Sequence, residues 1–140
     1  MINALKAFAA GFLATVFCHQ PVMWLLGRIG FVSLPTWSTK PVPPFGVPSI
    51  ISFAFWGGVW GIILLLIIQR QRGARYWLIA AIVGSIAPTL VAGLVIAPLR
   101  GQQLQGDKAS LLVMGLLVNL AWGLGTALLI KLFRARPMEA

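Results

Sequence analysis

From Pro48 to Gln69 the chain reads PSIISFAFWGGVWGIILLLIIQ, without one Asp, Glu, Lys or Arg. At a rise of about 1.5 Å per residue, about twenty residues cross the roughly 30 Å hydrocarbon layer of a bilayer. This stretch is therefore long enough to span. It opens on Pro48, which suits a first helical turn because the missing N–H is not needed there. Working outward, three further charge-free intervals run from Ala7 to Gly27, Tyr76 to Leu99 and Ala109 to Ile130. The sequence thus predicts an all-α, polytopic membrane protein. Its four transmembrane helices, at about 7–27, 48–69, 76–99 and 109–131, form one bundle.

Composition points the same way. Hydrophobic residues make up 59% of the 140 and charged residues 9%, against about 45–50% and about 25% in ordinary soluble domains. So few charges cannot cover a water-facing surface, and lipid is the surrounding that remains. The net charge of +9 does not signal nucleic acid, because the Lys and Arg residues punctuate apolar runs instead of clustering on one face. Lys6, Arg70, Arg72, Arg75, Lys131, Arg134 and Arg136 fall at one end of the spans. Arg28, Lys40, Arg100 and Lys108 fall at the other, with Asp107. The positive-inside rule assigns the first group, and with it both termini, to the cytoplasm. The first span is read as a retained helix: Phe17 precedes Cys18 where a lipoprotein signal needs a small residue, and no small-x-small site follows.

Small residues four apart mark where helices meet in lipid. They are Gly57 and Gly61 in the second span, Ala80 and Gly84 in the third, and Gly115, Asn119, Gly123 and Ala127 in the fourth. Ala10 and Ala14, with Gly11 beside them, do the same in the first. Trp56-Gly57 and Trp122-Gly123 lie 66 residues apart, and Pro21 and Pro88 lie 67 apart. These offsets raise the expectation of a duplicated helical hairpin. The alternative is coincidence, as Trp-Gly pairs and prolines are common in membrane helices.

No span core holds an ionisable carboxylate, the usual exchangeable group of proton-coupled exporters. The polar residues that remain are His19, Gln20, Thr89 and Asn119, with Trp56 at similar depth. Counting inward from the same ends places them in one intramembrane layer. There His19 is expected to hydrogen-bond Asn119 or Thr89, with the Trp56 indole as a further donor. Cys18, the single cysteine, has no disulfide partner in the chain, and it diverges from His19 by about 100° on a helix. No paired carboxylates, Ser-His-Asp set, HExxH or CxxC occur. No enzyme activity, metal or cofactor is therefore expected.

The connection over about 28–47 is expected on the outer face. Pro35, Pro41, Pro43 and Pro44, with Pro48 just beyond, hold it extended and stiff. Trp37 and Phe45 give it apolar contacts. Residues Phe17-Cys18-His19-Gln20-Pro21, Pro44-Phe45-Gly46-Val47-Pro48, Ser52 and Ala54-Phe55-Trp56-Gly57-Gly58-Val59-Trp60-Gly61 resemble a group of small bacterial inner-membrane proteins of unknown function. The likeness covers the first two spans and their connection. It implies a bacterial inner membrane and no activity.

Two functional classes follow. One is a structural or accessory subunit that binds a membrane partner through its seams and loop. The other is a small oligomeric transporter or channel that uses the polar layer around His19 and Asn119. The expected partners are the lipid bilayer and either further copies of the chain or another membrane protein. The sequence favours the accessory subunit, for want of coupling charges. A water-filled cavity reaching His19 would favour the other.

Overall fold

The computed structural model describes residues 3–32, 34–99 and 107–135. Four helices long and apolar enough to cross a membrane dominate it. We label them α1 (Ala4–Arg28), α2 (Ser49–Ile68), α3 (Gly73–Ile96, followed by a short turn, Ala97–Leu99) and α4 (Lys108–Ala135). Only 17–39% of each span is buried inside the bundle. The remaining surface carries side chains such as Phe17, Leu66, Leu78 and Leu94, an outward face that matches lipid and not water.

The first and fourth helices outrun their charge-free intervals because caps, not charges, set where they start. Asn3 Oδ1 accepts the Lys6 N–H at 3.0 Å and starts α1. Asp107 Oδ2 accepts both the Ser110 N–H and its hydroxyl at 2.8 Å and starts α4. Those two bonds hold the exposed Asp107 carboxyl below the usual carboxylate range. Pro48 is the N-cap of α2, and Ser49 its first residue. With no side chain to cap it, α2 uses loop carbonyls: the Ser49 N–H donates to Lys40 O and the Ile50 N–H to Ser38 O, each at 2.9 Å.

The bundle is ordered α2–α1–α4–α3, with α1 packed on both α2 and α4 and α3 packed on α4. Lys6 Nζ donates to Phe133 O at 3.4 Å, so α1 starts where α4 ends. Close approach is possible only because the seams lack side chains. A Cβ on Gly11 would fall onto Gly57 O, and one on Gly61 would lie 2.5 Å from Ala7 O. In the other hairpin, a Cβ on Gly84 would lie 2.6 Å from the Gly123 Cα, and one on Gly123 would lie 2.7 Å from Ala80 O. Gly115 packs against Thr89, and the Tyr76 hydroxyl donates to Ala127 O at 2.7 Å. The whole predicted row on α4, from Gly115 to Ala127, therefore faces α3.

Two details differ from the sequence expectation. Gly61 lies against Ala7 and Gly11 as Gly123 lies against Ala80 and Gly84, so the two crossings correspond one helical turn away from the register of the Trp-Gly match. The tryptophans of that match are also unlike: Trp122 is buried, and Trp56 is 53% exposed. In addition, the proline-rich connection is not extended throughout. Pro41–Val42 pairs antiparallel with Val47–Pro48 in a small hairpin closed through Gly46, whose φ is +66°, a conformation that glycine adopts at little cost. Of the second connection, expected at 100–108, only Asp107 and Lys108 are among the described residues, and Arg100 and Arg136 lie outside them.

Candidate functional site

The site begins with an irregularity in α1. The helix is α-helical to Ala14, π-helical over Thr15–His19 and α-helical again from Gln20. The Gln20 N–H skips Val16 O and donates to Thr15 O. The next residue, Pro21, has no N–H. Val16 O is thereby deprived of both helical donors, and the Trp37 indole N–H supplies one at 3.2 Å. The Trp37 backbone N–H also donates to Gln20 Oε1 at 2.8 Å. Trp37 has φ 45°, a strained value for a bulky residue. These two bonds to α1 hold it there.

The extra residue of a π turn rotates whatever follows by about 100°. Gln20, only 2% exposed, thus faces the loop and anchors Trp37. It leaves the expected layer. His19 stays on the interior side, and Thr15 Oγ donates to Gly11 O at 2.9 Å. The same carbonyl accepts the Trp122 indole N–H at 3.0 Å, tying α4 to α1.

Opposite lies a chain of hydrogen bonds between α3 and α4. Asn119 Nδ2 donates to Thr89 Oγ at 2.9 Å, Thr89 Oγ donates to Ser85 O at 2.7 Å, and Ser85 Oγ donates to Leu116 O at 2.8 Å. Asn119 and Thr89 are therefore brought together as expected, but the bond from His19 to either of them is not made. Asn119 has turned its amide to Thr89, and His19 Nδ1 is buried without a partner. The Trp56 indole makes no hydrogen bond among the described residues and stands at the bundle surface.

His19, Trp56 and Asn119 nonetheless share a cavity of about 240 Å³, a little below the usual roughly 300–1,000 Å³ of small-molecule sites. Thr15 and His19 of α1 and Asn119 and Trp122 of α4 form its inner wall. Ser49, Ser52, Phe53, Trp56 and Trp60 of α2 form one side, and Pro88, Val91, Ala92 and Ile96 of α3 the other. Val42 of the small hairpin closes the end. The space exists because α2 and α3 touch only sparingly and the last turns of α3 stand off: no residue of Ala92–Ile96 is buried. A second cleft, lined by Phe17, Cys18, Trp77 and Leu124 among others, is a shallow apolar groove on the surface.

No family model, curated protein or solved structure matches the chain. The cavity must be read from its own chemistry. Its wall is mainly aromatic and aliphatic, with a few convergent polar groups and, among the described residues, no charged side chain. Among the described residues no three His, Cys, Asp or Glu side chains meet as metal ligands would.

Sequence reasoning missed Ser49, Ser52, Trp60, Thr15 and Trp122. For α2 the signal was present: Ser49, Ser52, Trp56 and Trp60 recur at spacings of three and four and share one face. Trp37 had no such signal, because its partner carbonyl is orphaned only by the π turn.

Proposed function

We propose that this chain is a small multi-pass inner-membrane protein that binds a small uncharged molecule in the half of the bundle away from its termini. The observation that carries this reading is the cavity reaching His19, enclosed by side chains from all four helices of one copy. An apolar pocket with a few polar groups is the usual form of a small-molecule site. One copy suffices to build it, so binding does not require an oligomer. This reading differs from the sequence-based preference for an accessory subunit, and also from a water-filled transport path, because the wall is mainly apolar. The Lys and Arg distribution supports an N-in/C-in orientation, with the cavity in the outer leaflet. The resemblance of the first two spans supports a bacterial inner membrane. The reading is of binding without catalysis: one imidazole lines the wall, with no carboxylate or second base beside it among the described residues.

Three of the six tryptophans, Trp56, Trp60 and Trp122, line the cavity and report on it. A brominated alkane that enters should quench their fluorescence saturably in bilayer nanodiscs. Ala92→Phe, which fills the cavity from an unpacked segment, should remove the saturable component. Quenching that rises linearly and is identical in the variant would refute the site. Co-purification of a stoichiometric membrane partner, with no saturable quenching, would restore the accessory-subunit reading.

A further inference from the structure

Resting on the cavity as a binding site, we propose that its guest is an uncharged, largely apolar molecule from the bilayer that carries one hydrogen-bond acceptor, such as a ketone or quinone-type carbonyl. The acceptor lodges between His19 and Asn119. Four observations lead there.

The first is charge. Among the described residues, no Asp, Glu, Lys or Arg lines the cavity. An ionised guest would lose its hydration and find no counter-charge.

The second is the imidazole. His19 Nδ1 is enclosed and has no hydrogen-bond partner. A neutral imidazole carries its proton on one nitrogen and a lone pair on the other. An orphaned buried donor is rarer than an orphaned acceptor. The proton therefore sits on Nε2, and Nε2–H is the group that His19 offers to the cavity.

The third is the amide. Asn119 commits one N–H to Thr89, which leaves its second N–H free beside the cavity. The Ser49 and Ser52 hydroxyls on the facing wall can each donate or accept. The N–H groups of His19 and Asn119 together fit a carbonyl oxygen, whose two lone pairs accept from both.

The fourth is access. Phe53 and Trp56 are 54% and 53% exposed yet line the cavity. They stand at its rim, on the side where α2 and α3 part. That rim faces lipid in a membrane-spanning bundle, so the guest is a molecule already dissolved there.

The test uses the full chain in nanodiscs and three probes of equal length: 10-bromodecan-2-one, 1-bromodecane and 10-bromodecanoate. Saturable tryptophan quenching is measured for each. The ketone should bind about tenfold tighter than the alkane, the worth of one hydrogen bond. The decanoate should show no saturable phase. In His19→Phe the ketone should lose its advantage over the alkane. Equal binding of ketone and alkane to the wild type would overturn the acceptor preference and leave the cavity reading standing. Tightest binding by the decanoate would overturn the claim of an uncharged guest. Saturable quenching by none of the three would remove the binding site itself. The ranking on the wild-type protein decides the matter even if His19→Phe does not fold.

Discussion

Two π-helical turns stand before prolines in this bundle, and they meet different fates. In α1, Thr15–His19 is followed by Gln20 and Pro21. In α3, Ala92–Ile96 is followed by Ala97 and Pro98. Each time the N–H before the proline reaches back five residues, from Gln20 to Thr15 O and from Ala97 to Ala92 O. Each time the next carbonyl, of Val16 or Gly93, loses its donor from the helix. Trp37 restores a donor to Val16 O, and the surrounding turn is pinned against the loop and α4. No side chain among the described residues does this for Gly93, and that part of α3 stands off. The local chemistry is the same, and tertiary partners decide whether it makes a joint or a gap. Here the gap is the flank of the cavity, and the joint carries His19 into it. π turns often mark functional sites, and this pair suggests a reason.

The comparison is broken most severely at the glycines near each turn. Gly11→Ala drives a methyl group onto Gly57 O. Overpacking of this kind costs roughly 1–3 kcal/mol, seen as a lower unfolding midpoint in mild detergent. Gly93→Ala meets nothing within 4 Å. It should be neutral or stabilise by up to about 1 kcal/mol, since alanine favours a helix over glycine. Equal losses at both positions would mean that the loop end of α3 is packed after all.

Trp37→Phe makes the first turn resemble the second. Losing the indole N–H should cost about 1 kcal/mol and speed amide exchange at the start of the second segment of α1. Unchanged exchange there would mean that the loop does not pin the turn. A smaller effect is expected across α3 and α4. Asn119→Leu should cost about 0.6 kcal/mol, the average for hydrogen bonds between membrane helices. A double-mutant cycle with Thr89→Val should recover most of that value as coupling.

The smallest effect is at Asp107. Its carboxyl is held below the ordinary range by Ser110, so the α4 cap is fully formed above the unfolded-state pKa of about 3.9. It is lost as the pH falls through the lower folded-state value. Asp107→Ala should remove that acid sensitivity and slightly lower the midpoint at neutral pH.

The spans were legible because a helix apolar enough to cross lipid carries no charge in its middle, so the gaps between Lys and Arg located the four helices, though not their ends. The seams were legible for a related reason: glycines four apart have little use in lipid except close approach. The caps Asn3 and Asp107 were readable by residue type but lie outside the charge-free intervals. The cavity was half legible. Depth counting brought His19, Trp56 and Asn119 to one level, and they do line one cavity. It could not supply rotation about the helix axis. The π turn, which the sequence does not announce, turned Gln20 away and left His19 without the partner expected for it. The stand-off of α3 was hidden as well, since it depends on a donor that no other described segment brings.

His19 is the single histidine of the chain, so histidine-selective ¹⁵N labelling isolates one imidazole in a bilayer NMR spectrum. Titrating that sample with decan-2-one tests the central claim at the atom concerned. The account predicts a neutral ring protonated at Nε2, with an Nε2 signal that moves saturably as the ketone binds. A ring with Nδ1 hydrogen-bonded to the protein, or an Nε2 signal indifferent to the ketone, would contradict it.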